Sequence, residues 1–366
     1  YMEILLDKVT DDDVHMHLYT NPAQGYLPDE IVNAGETLFD EAETAVADDA
    51  ILLDRVQVAR MPLVYARLFP RNGYEIVEDT LEWQGELAGP GEVTWFLDML
   101  ETHGFETIRE VAGQPDTLAL LYSIFAGDLP VEILDNGALR VEVVPSLAGR
   151  ALRIIHVDTG ECVTAHNVKQ NLFFPFAGGL EDRVGGPFEF YGWVEPAAVE
   201  AQSELSITTA STTINGYGLQ RTVTLHESEP KLEVETVLTN LHGDPATVNL
   251  RNHLELNLGD LAETRVKFTS LSGKQVDKDI SGIIANMREG EHFYAEDAPD
   301  GSWTFSGTKG LEVTQSFDNS EVDYTWAYAY PDYLGEVELE VWAPRTELQP
   351  GESISLHQTL EVRPGG

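Results

Sequence analysis

Residues Leu232 to Leu258, LEVETVLTNLHGDPATVNLRNHLELNL, constrain this chain more than any other stretch. Leu232, Val234, Thr236 and Leu238 alternate with Glu233, Glu235, Val237 and Thr239. Further on, Val248, Leu250, Leu254, Leu256 and Leu258 share one parity, with Asn252 interrupting the apolar set. Asn249, Arg251, His253, Glu255 and Asn257 share the other. A period of two puts each set on its own face of a sheet. His242-Gly243-Asp244-Pro245 supplies turn chemistry between the runs. The stretch therefore predicts two strands joined by a short polar turn. One face is a core wall and the other a row of hydrogen-bonding side chains.

A chain of 366 residues, 42% of them hydrophobic, suggests two domains with substantial cores. No run approaches the roughly 18 apolar residues needed to span a bilayer, and no basic segment with an apolar core opens the chain. It begins at Tyr1 rather than Met and reads as the C-terminal piece of something longer. The net charge is -41, from 63 acidic and 22 basic residues. Such a chain repels phosphate backbones and anionic lipids, which argues against nucleic acid and membrane surfaces as partners. The acidic residues are spread along the whole length. This fits a globular protein kept soluble in a salty medium, where self-repulsion is screened, or simply a generally acidic proteome. The single Cys162 excludes an intrachain disulfide and a cysteine zinc knuckle.

The first part, residues 1–126, reads as helical. Pro28 to Asp48 carries Ile31, Ala34, Leu38, Ala42 and Ala45 at helical spacing, with Asp29 and Glu30 at its positive end. Asp48 and Asp49 are placed to end that helix and cap the next, Ile51 to Phe69. There Leu52, Val56, Ala59, Leu63 and Tyr65 form a stripe, and Pro62 should kink or split the run. Glu92 to His103 is a third helix, stopped by Gly104. The three are expected to pack as a small antiparallel bundle. His15 and His17, in DDDVHMH, read either as metal ligands or as part of a polar entry loop.

After Gly127-Asp128-Leu129-Pro130 the texture changes to short alternating strands with Gly, Asn, Asp and Pro turns. Residues 131–134, 138–144, 150–156, 204–209, 220–225, 311–317, 324–330, 337–341 and 353–362 qualify, besides the two strands of the opening stretch. The count exceeds a seven-strand sandwich. The expected fold is thus α+β in content, a helical domain (1–126) followed by a large antiparallel two-sheet β-supersandwich (127–366).

Two resemblances accompany this pattern. YLPDEIVNAGETLFDEAETAVADDAILLDRVQVARMPLVYARL is similar to the helical region that follows the catalytic barrel in alpha-glucuronidase-like glycoside hydrolase relatives. That implies carbohydrate work and an upstream barrel in the same polypeptide. LDNGALRVEVVPSLAGRALRIIH, TNLHGDPATVNLRNHLELNL and ELEVWAPRTELQPGESISL together resemble, in order, three motifs of galactose mutarotase-like (aldose epimerase) domains. In that family the histidine matching His253 protonates the sugar ring oxygen. The glutamate acting as base falls on Glu340, with Glu338 the second choice. The family's second sugar-contacting histidine sits in a loop that corresponds here to Asn171–Gly186, which contains none.

The residues themselves offer three candidate sites. Opening and reclosing a sugar hemiacetal needs a base at the anomeric hydroxyl and an acid at the ring oxygen, and His253 with Glu340 supply those types. Arg251, Glu255 and Asn257 share the histidine's parity and could contact a sugar, or could simply be solvated. Glu336, Glu338, Glu340 and Trp342 form a second row that could bind sugar hydroxyls, hold calcium, or be a plain acidic outer face. In the glycine-rich aromatic segment Phe173–Trp193, most phenylalanines are expected in the core. Arg183, Glu189 and Trp193 are the choices for an exposed, sugar-packing minority. Arg150, following the Ala148-Gly149 turn, is grouped with the sugar contacts. No phosphate-binding glycine loop, nucleophile elbow or zinc signature is present, so no cofactor or metal is expected.

The reading that follows is a secreted, carbohydrate-binding or structural C-terminal region of a glycoside-hydrolase-like protein. The rivals are an aldose 1-epimerase using His253 and Glu340, and a purely structural module.

Overall fold

The computed structural model describes residues 27–68, 73–84, 90–105, 129–165, 178–184, 195–212, 216–280, 291–330 and 336–365. His15, His17, Glu189, Trp193 and the aromatic residues of the Phe173–Trp193 segment lie outside them. The described residues fall into two compact units: 27–68, 73–75, 82–84 and 90–105 in one, 76–81 and 129–365 in the other. Among the described residues, no helix is long and apolar enough to cross a membrane.

The first unit contains helices α1 (Asp29–Ala45), α2 (Ala50–Leu68) and α3 (Pro90–Thr102). Asp49 Oδ1 accepts from the backbone N–H groups of Ile51 and Leu52 at 3.0 and 3.1 Å, a side-chain cap for α2. Helix α3 ends as Gly104 takes φ +66° and Phe105 N–H reaches Leu100 O at 2.9 Å. Of the two outcomes expected at Pro62, the split does not occur: α2 runs through it as one helix. Met61, Leu63 and Val64 beside it are all buried, and that packing holds the turn that a proline weakens. The buried stripe of α1 is also rotated: Ile31, Val32, Gly35 and Glu36 face inward while Leu38 is exposed. Arg60 on α2 explains the shift. It pairs with Glu36 and reaches Asp40 and Glu43 at 3.0 Å, so a charged residue takes the inner position.

The second unit is a sandwich of two large antiparallel sheets. One, here the site sheet, runs in the order Glu291–Tyr294, Tyr324–Tyr330, Glu336–Trp342, Leu250–Leu256, Gly179–Val184, Arg150–His156, Leu139–Val144, Glu132–Asp135, with Glu161–Cys162 paired to Arg150–His156. The facing sheet runs Gln275–Asp279, Arg265–Thr269, Ser302–Ser306, Leu311–Phe317, Ser353–Pro364, Lys231–Asn240, Tyr217–Leu225, Ser206–Thr212, Ala198–Gln202. Leu180, Leu254, Leu339 and Val341 of the first meet Val223, Leu232, Leu238 and Leu356 of the second in one core.

The two runs of the opening stretch do not form a hairpin. Lys231–Asn240 lies in the facing sheet and Leu250–Leu256 in the site sheet, so His242-Gly243-Asp244-Pro245 carries the chain from one layer to the other. Both runs have one apolar face, and two such faces bury more surface as opposite walls of a core than side by side. Asn240 holds the crossing, its Nδ2 donating to Asp244 O and Leu348 O at 3.0 and 2.9 Å. Between them Ala246–Val248 pairs with Thr346–Leu348 in a separate ribbon.

Asn252, the polar interruption of the apolar set, points into this core. Its Nδ2 donates to Asp182 Oδ1 at 3.0 Å. Asp182 Oδ2 in turn accepts from Arg221 Nε at 2.5 Å and Thr236 Oγ1 at 2.8 Å, both on the facing sheet. The two sheets are therefore linked through the core by a hydrogen-bonded polar cluster, in which Asn252 Oδ1 and Arg221 Nη2 are left without a hydrogen-bond partner.

Candidate functional site

The register fixes what stands on the other side of the site sheet. Arg251 pairs with Trp342 and Arg183, His253 with Glu340 and Glu181, and Glu255 with Glu338 and Gly179. Strand alternation therefore puts Arg251, His253, Glu255, Glu336, Glu338, Glu340, Trp342, Glu181 and Arg183 on one face. Arg150, from the next strand, joins them through an ion pair with Glu181.

This face is not the solvated or acidic outer surface that the sequence allowed. His253, Glu255, Glu181 and Glu336 have no exposed surface, and Arg251, Arg150, Arg183, Glu340 and Trp342 are buried with them. Arg183 was expected to be exposed, and Trp342 to offer a sugar platform. Instead Arg183 is 5% exposed. Trp342 stacks on Tyr324 (centroids 4.9 Å apart, 20° between planes) and lies under the Arg251 guanidinium at 4.6 Å. Glu338 is the exception, with its side chain 12% exposed. Asn257 lies beyond the strand end, and its Oδ1 accepts from Gly259 N–H in a turn.

His253 is at the centre. Its Nδ1 lies 2.8 Å from Glu181 Oε1 and 3.1 Å from Arg183 Nη2. Its Nε2 lies 3.2 Å from Glu338 Oε2 and 3.8 Å from Glu340 Oε1. With the Nδ1 proton directed at Glu181, the shorter contact, the Nε2 position is the one that can exchange a proton with Glu338 or with a bound oxygen. Glu340 is committed elsewhere: Oε1 accepts from Arg251 Nη1 at 2.7 Å and Oε2 from Trp342 Nε1 at 2.8 Å. Of the two glutamates that face His253 Nε2, Glu338 is the nearer and the partly exposed one.

Charge is unevenly distributed over the row. Burial pushes Glu181 up, but Arg150, the His253 hydrogen bond and Arg183 outweigh it and bring it to about 2. Burial and the nearby carboxyls Glu336, Glu181 and Glu338 hold Glu255 well above the usual carboxylate range. Glu336 is raised in the same way, by burial and then by Glu338 and Glu181. Neither oxygen of Glu255 or Glu336 has a hydrogen-bond partner. The three guanidiniums of the row are set against the other carboxyls, Arg150 and Arg183 against Glu181 and Arg251 against Glu340.

The strand Gly179–Val184 was missed at the level of sequence, where it read as part of a glycine-rich rim. All six residues are buried. It lies close against its neighbour, where a Cβ on Gly179 would sit 2.5 Å from Ala151 O. The available signal was parity: Leu180, Asp182 and Val184 alternate with Glu181 and Arg183.

No protein-family model matches the sequence, and no curated protein matches it. Solved structures do match. The Slr1438 protein from Synechocystis sp. PCC 6803 superposes with TM-score 0.51 at 12% identity, over 70% of this chain and 100% of that one. A galactose mutarotase related enzyme from Lactobacillus acidophilus gives TM-score 0.47 at 12% identity, over 64% and 97%. A GalM/aldose epimerase homologue from C. elegans gives 0.47 at 11%, over 64% and 99%. At these identities the likeness is one of fold.

Proposed function

We propose that the buried polar face of the site sheet is a carbohydrate site, and that this chain binds an aldose there. One observation carries the reading: four carboxyls, three guanidiniums and an imidazole are buried on one sheet face beside the partly exposed Glu338, with polar atoms of Glu255, Glu336 and Arg251 left unpartnered. Burying such groups costs stability, and a face that served only the fold would be better filled with apolar side chains. Sugar hydroxyls, each both donor and acceptor, suit a surface of alternating carboxyl and guanidinium groups.

A second reading is favoured by the His253–Glu338 contact. An imidazole and a partly exposed carboxylate 3.2 Å apart are the acid and base that opening a hemiacetal requires. In that reaction Glu338 takes the anomeric hydroxyl proton while His253 delivers its Nε2 proton to the ring oxygen. The carbonyl forms, the ring C–O bond breaks, and reclosure on the other face reverses the transfers. The association with a glycoside hydrolase barrel, and a secreted location, rest on the resemblance of the N-terminal helices alone and are part of this proposal.

Calorimetric titration of the chain with a panel of aldoses tests the first reading. Polarimetry of freshly dissolved α-aldose tests the second. Saturable binding with mutarotation above background supports both, and binding without turnover supports the first alone.

A further inference from the structure

Arg251 and Arg183 are register partners on adjacent strands, so two guanidiniums of like charge stand side by side on one buried face. Like charges directly opposite each other destabilise a sheet. Burial and the neighbouring Arg251 bring Arg183 down to about 10. Arg183 hydrogen-bonds Glu181 through both Nε and Nη2. Arg251 is served differently. Only its Nη1 is bound, to Glu340, while Nε and Nη2 are buried with no hydrogen-bond partner. Those two nitrogens form the side-on edge of the planar guanidinium, the fork that grips a carboxylate or phosphate by two parallel hydrogen bonds. Glu340 and the Trp342 ring fix the plane of that fork.

The other end of the row is opposite in character. Glu255, Glu336 and Glu338 gather there, and a sugar's neutral hydroxyls suit them better than an anion does. The chain's net charge of -41 repels anions at long range, but salt screens that field within about 10 Å, whereas the fork acts in contact.

We propose that the unpartnered Arg251 fork, with Arg183 beside it, receives an anionic substituent of the sugar, so that the ligand of this site is an acidic aldose bearing a carboxylate or a phosphate. This rests on the polar face being a carbohydrate site.

The test is calorimetric titration of the full chain, at fixed ionic strength, with the gluco and galacto forms of the neutral hexose, the hexuronate and the hexose 6-phosphate. The same series is run on Arg251→Lys, which keeps the charge and removes the fork, with a melting curve to establish that the variant is folded. At least one acidic sugar binds about tenfold or more tighter than its neutral parent, a gap of about 1.4 kcal/mol. In Arg251→Lys that ratio falls toward one. The uronate and phosphate arms show which anion the fork accepts. Should Arg251→Lys fail to fold, Arg251→Gln, whose amide can still donate to Glu340 but which lacks the fork, provides the same comparison. Equal affinities for neutral and acidic sugars overturn the proposal and leave the carbohydrate site standing, as does an acidic preference that survives in a folded variant. No binding of any of the six sugars overturns both.

Discussion

Asp182 and Arg221 join the two sheets of the sandwich across its core, with Arg221 Nε 2.5 Å from Asp182 Oδ2 and neither residue more than 2% exposed. Removing one member of a buried pair strands the other's charge, which typically costs about 3–5 kcal/mol. Arg221→Met should lower unfolding stability by about that amount in a urea titration. The double variant Asp182→Asn/Arg221→Met should recover part of the loss, because no uncompensated charge remains.

The two kinds of buried carboxyl on the polar face should respond oppositely to pH. Glu181 is held near 2 in the fold against an ordinary 4.5. Its contribution is complete above about pH 4.5 and is lost as pH falls from there towards 2. Glu255 is raised well above 4.5, so the folded state holds its proton more tightly than the unfolded chain. That contribution is complete below about pH 4.5 and is lost as pH rises through the folded value. Glu255→Gln mimics the protonated form. Its melting temperature should therefore fall less than that of the parent between pH 5 and pH 8, and a decline parallel to the parent's would contradict the assignment.

The strands that the sequence made legible are those with one apolar and one polar parity. Arg150–His156, Leu311–Phe317 and Tyr324–Tyr330 have the bounds expected of them. Gly179–Val184 escaped because its three consecutive charges look like a loop. Only tertiary partners on both sides, Arg221 for Asp182 and Arg150 with His253 for Glu181, make such a strand buriable. The same limit applied to the site. Parity placed Arg251, His253 and Glu255 on one face, and Glu336, Glu338 and Glu340 on another, but not that the two rows adjoin. Nor could spacing show that Glu340 is occupied by Arg251 and Trp342 while Glu338 is not. That the two strands of Leu232–Leu258 lie in different sheets was illegible for a related reason: a short polar turn joins two strands equally well within a sheet or between layers.

Gly179 should tolerate no side chain. Its φ is +87°, and a Cβ there would meet Ala151 O at 2.5 Å and Leu152 Cα at 2.8 Å, both backbone atoms. Gly179→Ala should cost about 1–3 kcal/mol from the strained backbone alone, with the clash adding to it. A thermal melt equal to the parent's would show that the two strands lie farther apart.

Glu338 and Glu340 should separate function from stability. Glu338→Gln, at the partly exposed position beside His253, should leave the melting temperature within a few degrees of the parent. If the chain is an epimerase, it should also lower the polarimetric mutarotation rate by about 10²–10⁴-fold, the usual worth of a positioned base. Glu340→Gln should instead lower the melting temperature, because it weakens the charge-assisted contact that holds the buried Arg251. An activity loss confined to Glu340→Gln in a stable protein would return the base to that position.

The carbohydrate site itself is tested most directly by titrating the chain with its best-binding aldose and repeating the titration with Glu338→Ala. This truncation removes the partly exposed carboxylate while leaving the Arg251–Glu340 and Arg150–Glu181 pairs in place. Saturable binding by the parent, weakened about tenfold or more in a variant that still melts cooperatively, is the predicted result. Absence of saturable binding across the aldose panel, or an affinity unchanged by Glu338→Ala, would contradict it.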